Sequence, residues 1–236
     1  MPEILKPSQS TNRLLSRMSR DDLRLLTPHL KAVDLPLRKK LELRNKRIDS
    51  VYFIESGLAS VVANGDRDRT VEVGIIGRDG VTGLTVIMGA DRAPHDVFMQ
   101  VGGSGQQLKA ARLRDAMAES ETLRRSLLLY GHAYVVQTTR TALANGRSKI
   151  EERLARWLLM AQDRMDDHTV PLTHEFLSMM LGVRRPGVTI ALQFLEKRGI
   201  IRRVRGQISI SDREGLKKIS NGAYGAQEAE FQRTFG

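Results

Sequence analysis

The 236-residue sequence contains no cysteine, a single tryptophan and five scattered histidines. A chain without thiols cannot form disulfides, thiolate-ligated iron–sulfur clusters, cysteine-based zinc sites or a cysteine nucleophile. The histidines do not show the spacing of metal ligands on one helix. The sequence therefore predicts no metal and no other cofactor.

Long apolar runs are also lacking, since none approaches the roughly 20 residues that cross a bilayer. The first ten residues lack the apolar core of a secretion signal, and we expect a cytoplasmic protein that does not enter a membrane. Acidic residues are scarce relative to basic ones, because 27 acids face 38 lysines and arginines and leave a net charge of +11. This imbalance favours an anionic partner, either a nucleic acid or a membrane surface.

The segment from Leu172 to Ser211 has the clearest pattern, which predicts a helix-turn-helix followed by a two-stranded wing. Thr173 is a suitable N-cap for the first helix. Gly182 can take the positive φ of the turn, and Pro186 suits the first turn of the second helix because its missing N–H is not needed there. Gly199 ends the second helix. The apolar residues that recur at helical spacing are Leu177, Met180, Leu181, Val188, Ala191, Leu192 and Leu195.

Two β-prone runs, Ile200–Val204 and Gln207–Ile210, flank Arg205-Gly206, which suits a hairpin tip. Residues 184–205 hold seven arginines and lysines against one acid, Glu196. Clustered cations neutralise DNA phosphates, and a recognition helix carries polar side chains at its N-terminal end. Pattern and charge together predict DNA binding, although a helical hairpin with a solvated basic face would show the same helices.

Residues 33–110 consist of short β-rich runs between glycines and charged turns, a pattern typical of an antiparallel barrel or sandwich. A helical segment over residues 11–32, with a cap at Ser19, precedes them. Glycine recurs every third residue from Gly74 to Gly83, which would suit either a phosphate-binding loop or a set of turns. Turns are favoured because no GxGxxG or GKS/T pattern follows. The runs are Val33–Leu37, Val51–Ile54, Ala59–Val62, Thr70–Ile76, Thr85–Met88 and Val97–Val101.

A short helix is predicted at residues 109–118 and a long one at residues 120–145. Four apolar residues of the long helix follow the 4-3-4 spacing of a coiled-coil seam. A core helix within one monomer would show the same spacing, but a dimer is favoured because helix-turn-helix proteins read two half-sites about one turn of DNA apart. The predicted dimerisation residues are Leu123, Leu127, Tyr130 and Tyr134.

Asn145-Gly146 is the expected hinge after the long helix. An amphipathic helix over Arg147–Met165 follows, and it holds Trp157. The tail from Asn221 shows no periodicity and is expected to be loose. The resulting units are a β-barrel effector domain over residues 1–119, a dimerisation helix over residues 120–145 and a winged helix-turn-helix domain over residues 146–236.

This order of elements resembles that of the Crp/Fnr superfamily of bacterial transcription regulators. The resemblance is strongest in LTHEFLSMMLGVRRPGVTIALQFLEKRGII and RGQISISDREGL, and IDSVYFIESGLASVVA is similar to barrel strands of that family. It implies an α+β fold with an N-terminal antiparallel jelly-roll barrel of the cyclic-nucleotide-binding type. It also implies a homodimer that binds double-stranded DNA at a palindromic operator, with RNA polymerase as a further partner.

The resemblance places Arg185 at the family's recognition-helix arginine, which implies a bidentate contact with guanine O6 and N7. Pro186 and Ile190 stand where the family often has Glu and Arg, so the common half-site does not carry over. Thr189 and Gln193 share a helical face with Arg185 and become the substitute readers, whereas Ile190 would contact either a thymine methyl or the core. The residues expected on phosphates are Thr173, Arg184, Arg203 and Arg205.

The effector region departs from the family, whose cassette resembles G-E-…-R-[ST]-A, with Glu on the ribose and Arg on the cyclic phosphate. Here the Glu position falls at Gly83-Leu84 and the Arg position near residues 93–96, with Arg92 offset from it. An anionic phosphate needs a fixed cation, so cyclic AMP is disfavoured and the effector is left open.

Two other classes of function compete with that of a DNA-binding regulator. The first is a sensor whose cyclic nucleotide or other small molecule controls DNA binding, which requires the ligand to bind one state better than the other. The second is an enzyme, but no nucleophile–base pattern stands out in the sequence, and we predict none.

Overall fold

A computed structural model of the chain describes residues 10–65, 70–165, 169–204 and 206–235. The strands are β1 (Lys31–Leu35), β2 (Lys40–Glu42), β3 (Ser50–Ile54), β4 (Leu58–Asn64), β5 (Thr70–Ile76), β6 (Asp96–Val101), β7 (Gly103–Lys109), β8 (Thr169–Pro171), β9 (Ile201–Val204) and β10 (Gln207–Ile210). The helices are α1 (Arg13–Ser16), α2 (Arg20–Leu26), α3 (Leu84–Ile87), α4 (Ala110–Glu119), α5 (Glu121–Arg147), α6 (Ile150–Arg164), α7 (His174–Leu181), α8 (Arg185–Lys197), α9 (Arg213–Ile219) and α10 (Ala226–Phe235). No helix within these ranges is long and apolar enough to cross a membrane.

Two antiparallel sheets form the N-terminal domain, in the strand orders β1-β7-β3 and β2-β6-β4-β5. Leu35 and Ile54 of the first sheet share a core with Ala59 and Met99 of the second. The predicted α+β class with an N-terminal antiparallel jelly-roll is therefore confirmed. Its two sheets pack as a sandwich and do not close into a ring.

Most of the predicted N-terminal elements are present. The prediction of a strand over Thr85–Met88 is wrong, because these residues lie in and just after α3. Gly83 has a φ of +79°, which turns the chain out of the extended direction immediately before them. The sequence pattern also misses β2 and β7, the latter because it begins Gly-Ser-Gly, and glycine has low β propensity. The expected cap at Ser19 is confirmed, since its hydroxyl accepts the N–H of Asp22 at 3.1 Å.

Two of the four glycines in the repeat, Gly74 and Gly80, lie where α5 packs on the sandwich. A Cβ on Gly74 would lie 2.5 Å from the Tyr134 hydroxyl, and a Cβ on Gly80 would lie equally close to the Tyr130 hydroxyl. The Tyr130 hydroxyl also donates to the Val81 carbonyl at 2.9 Å. The repeat is therefore explained by the close approach of a helix to the sandwich as much as by turns.

This packing places the residues of the predicted dimer seam against the sandwich of the same chain. Leu123 and Leu127 are fully buried, and Tyr130 and Tyr134 are 5% and 8% exposed, all within one copy of the chain. Their 4-3-4 spacing reflects contact with the sandwich, which is the other interpretation that the sequence allowed. The exposed large apolar side chains of α5 are Leu128, Leu129, Val135 and Leu143.

The C-terminal part of the chain departs from expectation at two places. Asn145 and Gly146 lie inside α5, and the break between α5 and α6 comes at Ser148. The tail is not loose, since α10 packs along α5. His132 Nε2 of α5 and Glu230 Oε1 of α10 are 3.0 Å apart.

Candidate DNA interface

The helix-turn-helix is formed by α7 and α8, which pack against α6. Thr173 caps α7, and its hydroxyl accepts the N–H of Phe176 at 3.3 Å. Gly182 has a φ of +58° at the turn, and α8 begins at Arg185 with Pro186 as its second residue. The seven apolar residues predicted at helical spacing are all buried, so the predicted motif is confirmed.

The N-terminal end of α8 presents polar side chains to solvent. Arg184, Arg185 and Gln193 are exposed, and Thr189 is half-buried with its hydroxyl donating to the Arg185 carbonyl at 3.2 Å. Residues four apart on a helix share a face, so Arg185, Thr189 and Gln193 form one polar strip. Ile190 is 67% exposed. Of its two predicted roles, the core role is therefore wrong.

The wing contains the predicted antiparallel strands β9 and β10 together with a third strand, β8, which pairs with β10. At three residues, β8 is too short to show an alternating pattern in the sequence. The Gly206 carbonyl accepts the N–H of Leu172 at 2.9 Å, which holds the wing tip beside the start of α7. Arg205 lies outside the described residues.

Arg203 is bound within the chain. Its Nε and Nη2 donate to Oε2 of Glu196 at 2.9 and 2.5 Å, and its backbone N–H donates to Oε1 at 3.3 Å. Hydrogen bonding by Arg203 holds the pKa of Glu196 below its usual value. The pair joins α8 to β9 and orients the wing on the recognition helix, which the sequence did not indicate.

A groove of about 410 Å³ lies between α7, α8 and the wing. Thr173 and Arg203, two of the residues predicted on phosphates, are among its lining residues. His174 and Gln207 line it as well and are exposed. Sequence reasoning missed both, although each stands beside a predicted feature, the cap of α7 or the tip of the wing.

The helix-turn-helix domain also contacts the sandwich through a polar network and a pair of rings. The Trp157 indole donates to Glu72 at 2.6 Å, and Glu72 accepts a second hydrogen bond from the Ser60 hydroxyl. The Phe176 ring stacks on Phe98 with centroids 6.3 Å apart. Burial raises the pKa of Glu72 to about 7, and its hydrogen bonds offset only part of that rise.

The region compared with the nucleotide cassette holds a buried carboxyl. Glu42 accepts the N–H of Gly83 at 2.6 Å, at the start of α3. Burial raises the pKa of Glu42 to about 7, with the Gly83 N–H opposing the shift. Arg92 is exposed and donates to the Asn45 carbonyl at 3.1 Å. Arg92 is therefore not a buried cation that could hold a phosphate inside the sandwich.

A β-sandwich joined by a long helix to a winged helix-turn-helix defines a two-domain protein with a DNA-binding domain. Residues 152–219 match the family model of the Crp-like helix-turn-helix domain. This match confirms the predicted resemblance to Crp/Fnr regulators. The chain has a Crp-like helix-turn-helix domain, and its fold is that of the superfamily. No curated protein matches the sequence.

Solved structures share this fold at low sequence identity. FixK2 from Bradyrhizobium japonicum is 18% identical, with a TM-score of 0.71 over 80% of this chain and 96% of its own. The c-di-GMP responsive global regulator CLP from Xanthomonas campestris is 16% identical, with a TM-score of 0.64 over 81% of this chain and 99% of its own. The CRP-family regulator TTHB099 from Thermus thermophilus is 18% identical, with a TM-score of 0.60 over 83% of this chain and 99% of its own.

Proposed function

We propose that the chain is a transcription regulator that acts in the cytoplasm and binds a palindromic operator as a homodimer. The observation that carries this proposal is the exposed polar strip of α8, in a helix-turn-helix of the Crp-like family. Such a helix enters the major groove with its N-terminal residues on base edges. We propose RNA polymerase as a further partner.

We assign the individual residues the roles that the sequence predicts for them. Arg185 binds a guanine through two N–H groups. Thr189 and Gln193 read neighbouring bases, and Pro186 and Ile190 contribute apolar contacts. We expect Thr173, Arg184, Arg203 and Arg205 to bind phosphates, with Arg203 using the N–H groups that Glu196 does not occupy.

Dimerisation uses the exposed face of α5 in place of the buried seam. Leu128, His132, Val135, Thr139 and Ala142 are all exposed and follow a 4-3-4-3 spacing. That spacing brings side chains to one stripe along a helix, which a second α5 can cover by coiled-coil packing. A two-fold axis along this stripe would present two copies of α8 to successive turns of DNA.

A ligand-controlled version of this regulator is the second candidate. The sandwich occupies the position of an effector domain, but Glu42 places a buried carboxyl at the start of α3. The Gly83 N–H is therefore not free for a phosphate, and the exposed Arg92 does not supply the fixed cation that a phosphate needs. We therefore propose that DNA binding does not require cyclic AMP, and the identity of any effector is left open.

Selection of duplexes from a random library by the purified protein tests the proposal, with no small molecule added. Enrichment of an inverted repeat is expected. Absence of enrichment, both alone and after addition of cyclic nucleotides or a cell metabolite extract, would contradict sequence-specific binding.

The variant Arg185→Ala is expected to weaken binding to the selected operator by about 1–3 kcal/mol and to relax base preference at one position of each half-site. The matched control is Lys197→Ala, which removes one exposed charge from the other end of α8. It should change affinity for all sequences to the same small extent. Titration of both variants against single-base operator variants separates the two effects. An unchanged base preference for Arg185→Ala would assign the reading role to another residue.

A further inference from the structure

A cleft of about 310 Å³ lies where the C-terminal helix α10 meets the sandwich domain and the end of α6. The sandwich domain contributes Arg13 of α1 to its wall, together with Arg78 and Asp79, which follow β5. The opposite wall consists of the end of α6 and of α10. We call this space the junction cleft. Cavities of this size hold small molecules, and they occur preferentially where two domains meet.

The wall that α10 contributes is anchored at both ends. Just before α10, the Tyr224 hydroxyl donates to Asp163 Oδ2 at 2.7 Å and ties the helix to α6. Further along, the rings of Phe231 and Phe235 pack with their centroids 4.9 Å apart. Phe235 also packs against the core that α1 and α2 share with the sandwich. The junction cleft therefore lies between two fixed elements.

Two arginines of the sandwich domain lie side by side at the junction cleft. The Arg13 N–H donates to the Arg78 carbonyl at 2.6 Å, and both residues are half-buried. Desolvation lowers the pKa of Arg78, and the charge of Arg13 lowers it further, while Asp79 opposes the shift. The two guanidinium groups therefore repel each other, and an anion bound to both would relieve that repulsion.

The acids that line the junction cleft are held by other groups of the protein. Arg13, in contrast, forms no ion pair with any residue that the structure describes. Its positive charge is therefore available to a ligand. The acids and their partners are Asp79 with Arg164 at 2.9 Å, Asp163 with Arg213 at 2.6 Å, and Glu228 with the Gly225 N–H at 2.9 Å.

The wall of the junction cleft also contains polar groups that lack a hydrogen bond. Arg164 and Gln227 are almost completely buried, and Arg164 Nε and Gln227 Oε1 have no partner among the described residues. Folded proteins leave few buried polar groups unpaired, so each such group calls for an explanation. An occupant of the cleft would supply a partner once either side chain turns toward it.

We propose that the junction cleft binds a small organic anion, whose carboxylate or phosphate group is held by Arg13 and Arg78. A guanidinium group can bind such an oxyanion through two parallel N–H bonds. The cleft is larger than an oxyanion alone, so the organic part of the ligand lies against Phe231 of α10. The ligand contacts both domains and stabilises their arrangement. This inference is independent of the proposed function, because the binding is measured without DNA.

Thermal unfolding of the full-length protein tests the inference, at constant ionic strength with sodium chloride as the reference. The probes are inorganic phosphate, glycerol 3-phosphate, adenosine monophosphate, succinate and benzoate. At least one organic anion should raise Tm by roughly 5–10 °C when present at about 100 times its Kd. The series also separates a phosphate site from a carboxylate site. Absence of a shift with every organic probe would overturn the inference, as would an equal shift with inorganic phosphate, which would show an adventitious ion only.

Isothermal titration calorimetry with the best probe assigns the site. Arg13→Gln/Arg78→Gln should bind it at least about tenfold more weakly, because two charge-assisted contacts are lost. The matched control is Arg20→Gln/Arg24→Gln, which removes two exposed arginines of α2 and should bind like the parent chain. Equal affinities of these two variants would overturn the inference.

A second pair of variants leaves both arginines in place and changes a residue that is exposed and cannot disturb the core. Gln232 lines the junction cleft from α10. Gln232→Glu should weaken binding of the anion and Gln232→Lys should strengthen it, because the added charge lies beside the ligand. The same affinity in both variants would overturn the inference, even if Arg13→Gln/Arg78→Gln fails to fold.

Discussion

Replacement of Leu127 by Asp is expected to unfold the sandwich, whereas the same change at the neighbouring Leu128 should leave the fold intact and dissociate the dimer. Leu127 is fully buried among apolar side chains, and Leu128 is 47% exposed. A carboxylate in place of Leu127 would have no partner, and together with the lost packing we expect a cost of about 4 kcal/mol or more. A carboxylate at position 128 stays hydrated in a monomer and is desolvated only where two copies of α5 meet.

Thermal unfolding and sedimentation separate the two outcomes. Leu127→Asp should lose the cooperative transition, and Leu128→Asp/Val135→Asp should retain it and sediment as a monomer. The matched control is Leu37→Asp, which adds a charge at an exposed leucine of the sandwich and should remain a dimer. A folded but monomeric Leu127→Asp protein would restore the first seam. A dimeric Leu128→Asp/Val135→Asp protein would show that the exposed stripe is not the interface.

The helix-turn-helix could be predicted from the sequence almost residue by residue because its signals are local. A capping threonine, a glycine with positive φ and a proline in the first turn each act within four residues of their own position. Thr173, Gly182 and Pro186 have the predicted roles in the structure. The wing strands were predictable for the same reason, since their alternation and the intervening turn lie within one short segment.

The orientation of α5 could not be predicted in the same way. Periodicity shows that one face of a helix is apolar. It does not show which part of the protein packs against that face, because the residues that do so lie far away in the sequence. Gly74 and Gly80, which come 60 and 50 residues before Tyr134 and Tyr130, provide the space for those side chains. The glycine repeat was visible in the sequence, and its match to aromatic residues on a later helix was not.

Contacts between elements were the other part that the sequence left open. Glu196 and Arg203 stand seven residues apart with a helix end and a turn between them. Only the fold shows that Arg203 binds this carboxyl and is not simply directed at DNA. The same holds for Glu72 and Trp157, which join the two domains across 85 residues of chain.

Stability of the protein is expected to fall as the pH rises from about 4.5 to about 7, and Glu72 should account for a large share of that fall. Burial raises the pKa of Glu72 from 4.5 to about 7, and that of Glu42 by a similar amount. Between those values the folded state binds protons that the unfolded state has released, so each rise in pH favours unfolding. Above about pH 7 both states are ionised at these groups, and this contribution becomes constant.

The variant Glu72→Gln replaces the acid by an amide that can still accept the indole N–H. It should be close to the parent chain in stability at pH 5 and more stable by roughly 2–3 kcal/mol at pH 8.5. Denaturant unfolding at both pH values measures this difference. Glu119→Gln removes an exposed carboxyl at the end of α4 and is expected to leave the parent's difference between the two pH values unchanged.

The single tryptophan makes the same titration visible without unfolding, because the Trp157 indole donates directly to Glu72. Ionisation of that carboxyl strengthens the acceptor but places a charge between two packed domains. The emission of Trp157 should therefore change with a midpoint near pH 7 in the parent chain and stay constant in Glu72→Gln. A midpoint near 4.5 would mean that water reaches Glu72 and that the domain contact is open. The emission of the parent could also stay constant while Glu72→Gln is more stable at high pH. In that case the pH dependence of stability would still come from the buried carboxyl, but its ionisation would not alter the surroundings of the indole.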